Sequence, residues 1–366
     1  MKVFLHNPSL SQFGKSVDNV LALSQKTANE SLENFDRSKI EFLIFTSFAP
    51  EKYTDEFHIA AKLSDRLGFK NIFSIRTETA SSSGASALHM AYYLIVSGKF
   101  KTGLVVGTEV MSRLDRSENN ILLGSVLSDT QRKYSMSMAQ GAALITNLYL
   151  HKFGYEKSDL YSIAKKLHDN GLNNPKAFIK KNLTKEDYLK APIFSSPLGL
   201  YDISPLSDGS VSIIVSSEIK SEFSILGVGH GLSEFKQFNP GVSFIASKQA
   251  FHKAFLESKI NPEDISVAEL HDAFTIFEVI GAEDAGIFKE GTGLKMIHEG
   301  ITHPTGKTPI NPSGGLKSRG HPIAASGLAQ IAELIYFMKQ NDKRFGLAHS
   351  IGGLATNNFA TIIGMS

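Results

Sequence analysis

The sequence predicts an α/β fold made of two similar halves, and three observations carry that prediction. Residues 17–34, VDNVLALSQKTANESLEN, place apolar residues at helical spacing; the polar turn FDRSK follows, then the apolar run IEFLIFTSF (40–48), which reads as a buried strand. The same order returns later as helical ASKQAFHKAFLESKI (246–260), polar NPED and apolar ISVAELHDAF (265–274). A second pair repeats it. A helix over 84–97, the basic turn GKFKTG and the strand LVVGTE (104–109) are echoed by the helix LAQIAELIYFMKQ, the charged turn NDKRFG and the strand LAHSIGG (347–353). Matching order in two distant stretches indicates a duplicated α/β unit.

Taken in order, the first half ends after DGSVSIIVSSE, so the predicted division is 1–218 and 219–366. Residues 113 to about 200 interrupt the first half as an insertion, polar and lysine-rich in KKLHDNGLNNPKAFIKKNLTKEDYLKAP (165–192). Lys165, Lys166, Lys176, Lys180, Lys181 and Lys185 there either meet a phosphorylated ligand or form a solvated helical surface.

Composition narrows the function classes. The chain has 366 residues, 38 basic and 36 acidic, so its net charge of +2 gives no global pull toward nucleic acid or membrane. The opening MKVFLHNPSLSQFGK has no long apolar core, which predicts no secretion signal. The most apolar run, ALHMAYYLIV (87–96), is too short to span a bilayer, and a cytoplasmic protein is expected. There is no cysteine, which excludes disulfides and thiol catalysis by this chain. The twelve histidines include no H-x-x-x-H pair, so no metal site is expected.

Four short stretches can carry chemistry. SSSG (81–84) sits where a helix N-terminus would begin, and free N–H groups there favour a developing anion; the structural alternative is a serine N-cap. ELHDAF (269–274) ends an apolar strand on a polar His-Asp pair, where strand ends face ligand crevices, so His271 is placed to donate to a carbonyl oxygen or else to satisfy a neighbouring backbone group. NPSGGLKSRGHPIAASG (311–327) is a compact glycine-rich loop entering a helix, and it holds His321 rigidly, as a general base requires. HSIGG (349–353) offers backbone N–H groups after a strand, either half of an oxyanion hole or a plain turn.

Together these blocks, in this order, resemble the thiolase family over essentially the whole chain. SSSGASALHMAYYLIVSGKFKTGLVVGTEVMS is similar to the nucleophile block, C-x-S-G with a later G-x-E-x-M, and PLGLYDISPLSDGSVSIIV to the S-D-G-A-A strand. ELHDAF resembles the H-D-x-F block, NPSGGLKSRGHPIAASG the N-x-S-G-G…G-H-P block, and SIGG the C-terminal C-x-G position. The H-D-x-F form and the short chain resemble sterol-carrier-protein-type and archaeal-type thiolases. The resemblance implies a five-layered αβαβα fold of two βαβαβαββ halves, with two buried helices between the sheets. It implies a homodimer or tetramer, no covalently bound cofactor, and a coenzyme A thioester as substrate. A small zinc-ribbon/OB-fold protein is a further candidate partner. It places Ser81 at the nucleophile position and His321 at the activating histidine. His271 becomes the residue polarising the thioester oxygen, and the Ser81 and Gly353 amides the oxyanion hole. Ser350 stands at the acid/base position, and Asn311, Ser313 and Phe274 at substrate-binding positions. Phe194, Phe274 and Phe277 are candidates for an acyl tunnel.

The departure from the family is the sulfur. Ser81 replaces the nucleophilic cysteine, and Ser350 and Ala273 fill both places where thiolases keep a second thiol. A thiol titrates near about 8.5 and is a strong nucleophile. A serine hydroxyl needs help from a base, and its ester is harder to pass back to a thiol. Three readings follow: serine in place of a native cysteine, a serine-dependent acyltransferase, or a non-catalytic acyl-CoA-binding subunit or scaffold.

Overall fold

In the computed structural model, residues 1–234 and 241–365 are described. The strands of the main sheet are β1 (Val3–Leu10), β2 (Phe42–Thr46), β3 (Phe73–Thr77), β4 (Thr102–Val110), β5 (Asp208–Ser216), β6 (Phe223–Leu232), β7 (Val267–Glu269), β8 (Phe345–Gly352) and β9 (Asn357–Met365). The helices used below are α1 (Val20–Ser31), α2 (Ile59–Arg66), α3 (Ser83–Val96), α4 (Leu160–Asn173), α5 (Ile245–Ser258), α6 (Thr275–Asp284), α7 (Gly315–Arg319) and α8 (Ile323–Asn341).

The nine strands form one sheet in the order β3-β2-β4-β5-β1-β6-β9-β8-β7. Read outward from its middle, β1-β5-β4-β2-β3 mirrors β6-β9-β8-β7, and a single parallel bridge from Ala268 to Ile310 stands where a fifth strand of the second half would lie. The halves join through β1 and β6, antiparallel, with Val3 opposite Ile225 and Leu5 opposite Phe223. The resemblance implies one sheet per half; the backbone pairing makes them continuous.

Layers follow from burial. The first ten residues of α8, IAASGLAQIA, are all buried, and a helix segment enclosed on every side belongs in a core. It packs on α3 and on β4, β5, β7 and β8, while α3 touches β2, β4 and β9, so both helices lie between the half-sheets. The outer faces carry α1 and α2 on the first half and α5 on the second, with α6 packed against α5 and α4. On β6, Gly227, Gly229 and Gly231 lie under α5, where an added Cβ would fall 1.9–2.3 Å from the carbonyl oxygens of Ala254, Ala250 and Ala246. Between β4 and β5 runs a largely helical segment with its own apolar cluster around Tyr149, Leu167 and Phe277. No helix of the described residues is long and apolar enough to cross a membrane.

Candidate active site

Ser81 lies in the turn between β3 and α3, one residue before the helix N-cap Ser82, which makes no side-chain cap bond. The turn is wired by hydroxyls. Ser83 Oγ accepts from Thr79 N at 2.8 Å and donates to Ala80 O at 2.6 Å; Ser82 Oγ lies 2.8 Å from Thr79 O and 2.9 Å from Asn357 O. Ala80 takes φ 53°, a left-handed conformation that a non-glycine residue holds only when its surroundings impose it. This tight turn leaves Ser81 half-buried on the wall of a large cavity. Among the described residues its hydroxyl has no hydrogen-bond partner.

His321 reaches the same cavity from the start of α8. Its Nδ1 is 2.7 Å from Ser326 Oγ, and that hydroxyl is 3.0 Å from Pro322 O. A carbonyl only accepts, so the serine proton goes to Pro322 and Ser326 accepts from His321 Nδ1–H. The lone pair is therefore on Nε2, the nitrogen left for the cavity. Burial, reinforced by the Arg319 cation, pushes His321 down to about 3, so it is neutral at ordinary pH. Glu109, pushed up to about 7 by burial, meets the same helix start, with Oε2 3.4 Å from Ala324 N.

His271 packs edge-on against His321, ring centroids 5.2 Å apart and planes at 86°. Its Nδ1 is buried without a partner, and an unpartnered lone pair there costs less than an unpartnered N–H, so the proton belongs on Nε2. Burial first, then the neighbouring His321, His349 and Arg319, hold it well below its ordinary value. The next residue, Asp272, locks the motif to α7. Its two oxygens accept from Leu316 N at 2.7 Å and Lys317 N at 3.1 Å, and a Cβ on Gly315, φ +60°, would fall 2.3 Å from Asp272 Oδ2.

The cavity holds about 1060 Å³ and is lined by Ser81, His271, His321 and Gly353 together, with Phe194, Phe274 and Phe277 among its apolar walls. Gly353, at φ +62°, follows the end of β8. Three of the sequence candidates lie elsewhere. Ser350 is buried and donates to Gln330 Oε1 at 2.6 Å. Asn311 braces the fold, accepting from Leu270 N at 2.7 Å and donating to Glu278 at 2.8 Å. Ser313 donates to Glu269 at 2.8 Å, whose carboxyl burial pushes up to about 8 despite the Arg319 cation beside it.

Of the six lysines singled out in the insertion, only Lys181 lines this cavity; Lys166 is buried in an ion pair with Glu278, and Lys165 pairs with Asp169 at 2.5 Å. The other cations on the wall, Lys15, Arg113, Arg116 and Lys317, and the buried His168, escaped sequence reasoning. Arg113 and Arg116 follow the C-terminal end of β4, where α/β crevices form, and that position was the available signal. Among the described residues Asp115 is the one acidic side chain lining the cavity, so the wall suits an anionic ligand. No group of three or more metal-ligating side chains occurs among the described residues.

Comparison with known proteins follows the same outline. Residues 12–219 match the family model for the thiolase N-terminal domain, and residues 229–365 that for a thiolase C-terminal domain-like unit. The acetyl-CoA acetyltransferase of Methanothermobacter thermautotrophicus is 29% identical over 311 residues, 81% of each chain. Benzoylsuccinyl-CoA thiolase subunit BbsB of Thauera aromatica is 31% identical over 274 residues, 72% of this chain and 70% of its own. Among solved structures, the Ltp2-ChsH2(DUF35) aldolase superposes with a TM-score of 0.84 at 18% identity, covering 100% of this chain and 98% of that one.

Proposed function

Since the chain belongs to the thiolase family, we propose that it acts on acyl-CoA thioesters as a thiolase-type acyltransferase in which Ser81 receives the acyl group. The observation that carries this reading is the convergence of Ser81, His271, His321 and Gly353 on one cavity with a cationic wall. The Ser81 oxygen attacks the thioester carbon while its proton passes to His321 Nε2. The charge that develops on the carbonyl oxygen is met by the Gly353 and Ser81 amides and by His271 Nε2–H. The C–S bond then breaks, and coenzyme A leaves with the proton from His321. Acylation is slow because a hydroxyl is a weaker nucleophile than a thiol, and what remains is an ester on Ser81, lower in energy than the thioester, so return of the acyl group is slower still. The division at 218, the insertion over about 113–200, a cytoplasmic location, a homodimer or tetramer and a zinc-ribbon/OB-fold partner rest on the sequence reading.

A second reading is an acyl-CoA-binding subunit that does not turn over. One observation favours it: the Ser350 hydroxyl is committed to Gln330 and position 273 is alanine, so neither family position supplies a second acid/base.

The test is intact mass and peptide mapping after incubation with acetyl-CoA and longer acyl-CoAs. An acyl adduct on Ser81, absent in Ser81→Ala and slowed in His321→Ala, is expected. An adduct that turns over supports the enzyme, and one that persists supports the arrested form. No adduct with any acyl-CoA removes the serine nucleophile. Ser81→Cys then distinguishes a missing sulfur from a scaffold.

A further inference from the structure

Two buried polar side chains on the cavity wall are left over by the chemistry above. Lys317 is 2% exposed. Its ammonium has three protons, and two go to carbonyls, Leu200 O at 3.0 Å and Ile203 O at 2.6 Å. Among the described residues no carboxylate lies within salt-bridge distance of it. Asp202 and Asp272 act on it only through space, and their oxygens are occupied: Asp202 by Tyr188 and Gly199, Asp272 by the α7 amides.

His168, on α4, is 1% exposed. Its Nδ1 is 2.9 Å from Lys181 O, and a carbonyl can only accept, so Nδ1 carries the proton. Nε2 is then a buried lone pair, and it has no partner. Burial, with Lys317 nearby, pushes the ring down to about 4, so the lone pair persists at ordinary pH. Both groups flank one ring, Tyr201: the His168 centroid is 5.5 Å away and Lys317 Nζ 5.9 Å. All three residues line the cavity.

The wall thus presents a cationic donor and a neutral acceptor against the same Tyr201 ring. An alkyl chain satisfies neither. A carboxylate satisfies Lys317 and meets the His168 lone pair with another lone pair. A hydroxyl accepts from Nζ and donates to Nε2. We propose that Lys317 and His168 form a subsite for a hydroxyl on the acyl part of the substrate, so that the cavity selects hydroxyacyl-CoA over plain acyl-CoA. This rests on the reading of the cavity as an acyl-CoA site.

The test uses the full chain carrying Ser81→Ala, so that binding is measured without acylation. Calorimetric titration compares butyryl-, octanoyl- and dodecanoyl-CoA, each in saturated, 3-hydroxy, ω-hydroxy and ω-carboxy form. A hydroxylated form is expected to bind about tenfold tighter than its saturated parent. The preference is lost in His168→Phe, which keeps a ring without the lone pair, and is retained in His168→Gln, whose amide oxygen still accepts. Lys317→Met should lose it too; if that variant does not fold, the His168 pair decides. Equal binding of hydroxylated and saturated forms, or tightest binding of the ω-carboxy form, overturns the proposal and leaves the acyl-CoA reading intact. If no acyl-CoA binds at all, it is the acyl-CoA reading that fails.

Discussion

Gly84 and Gly327 meet backbone to backbone where α3 crosses α8. A Cβ on Gly84 would lie 2.7 Å from Ala324 O and 2.8 Å from Leu328 N; one on Gly327 would lie 2.4 Å from Ala85 N. The contact sits three residues beyond Ser81 on one helix and six beyond His321 on the other, so it sets how the two candidate catalytic residues face each other. Alanine is the better helix former by about 1 kcal/mol, yet here its methyl meets main chain that cannot yield. Gly84→Ala and Gly327→Ala should each destabilise by about 1–3 kcal/mol and slow acylation. Urea unfolding measures the first effect; a stabilised Gly327→Ala would show that the crossing is loose.

The hydrogen bond from His321 to Ser326 fixes which ring nitrogen is basic. Ser326→Ala removes the acceptor of Nδ1–H and frees the ring to take the other tautomer. Acylation of Ser81 should drop on the order of 10- to 100-fold, less than the loss on removing a charged orienting group, with acyl-CoA affinity unchanged. Because burial holds His321 at about 3, the wild-type rate should show no limb near the ordinary histidine value of 6.5. Mass-resolved acylation rates from pH 8 to 5 check this, and a rate that halves near 6.5 would mean that His321 is open to solvent.

Buried histidines and buried carboxylates pull stability in opposite directions. His89, His321 and His349 are pushed down to about 3 from 6.5, and His168 to about 4, in each case chiefly by burial. Below 6.5 the unfolded chain therefore binds more protons, and this contribution, complete above 6.5, is lost as pH falls. Glu109 and Asp272 are pushed up to about 7 from 4.5 and 3.8, and Glu269 to about 8 from 4.5, again chiefly by burial. There the folded chain binds more protons, and this contribution, complete below the unfolded values of 4.5 and 3.8, is lost as pH rises from them through 7 to 8. Between 6.5 and 8 the carboxylates dominate, and Lys317, pushed down to about 8 by burial, opposes them only near the top of that interval, so Tm should peak in mild acid and fall from pH 6.5 toward 8. A flat or rising Tm over that interval in scanning calorimetry means that these carboxylates are ionised in the fold.

How much of this was legible in the sequence depended on where each residue sits in its motif. Ser81, His271, His321 and Gly353 end or begin regular elements, and the ends of elements in an α/β protein share one crevice, so their meeting followed from order alone. Ser350 lies inside β8. Alternation along the strand turns it to Gln330 on the buried α8 while its neighbour His349 meets Ser247 on the outer α5, and a motif match does not report that direction. The junction of the two half-sheets is three residue pairs between β1 and β6, and no local pattern specifies them. Asn311 and Ser313 were found as motif members, but their partners Glu278 and Glu269 come from the stretch around the His271 motif, so they brace the loop that carries His321.

Lys166 and Lys181 separate lysine as architecture from lysine as ligand contact. Both belong to the same basic stretch, yet Lys166 Nζ pairs with Glu278, donates to Ile310 O at 3.0 Å and has a side chain only 6% exposed. Removing one partner of such a pair leaves the other charge buried and uncompensated. Lys166→Met should cost about 3–5 kcal/mol and leave coenzyme A affinity unchanged in the folded fraction. Adding Glu278→Gln removes the stranded charge and keeps an acceptor for Asn311, so the double variant should recover most of the loss. Lys181→Ala and Arg116→Ala remove charge from the cavity wall; stability should move by about 0.5 kcal/mol or less, while coenzyme A binds several-fold more weakly. The salt dependence of binding should also become shallower, because exposed cations are screened and the buried pair is not. Unfolding curves and titrations at two ionic strengths read both quantities, and a Lys166→Met protein of normal stability with weakened coenzyme A binding would reverse the two assignments.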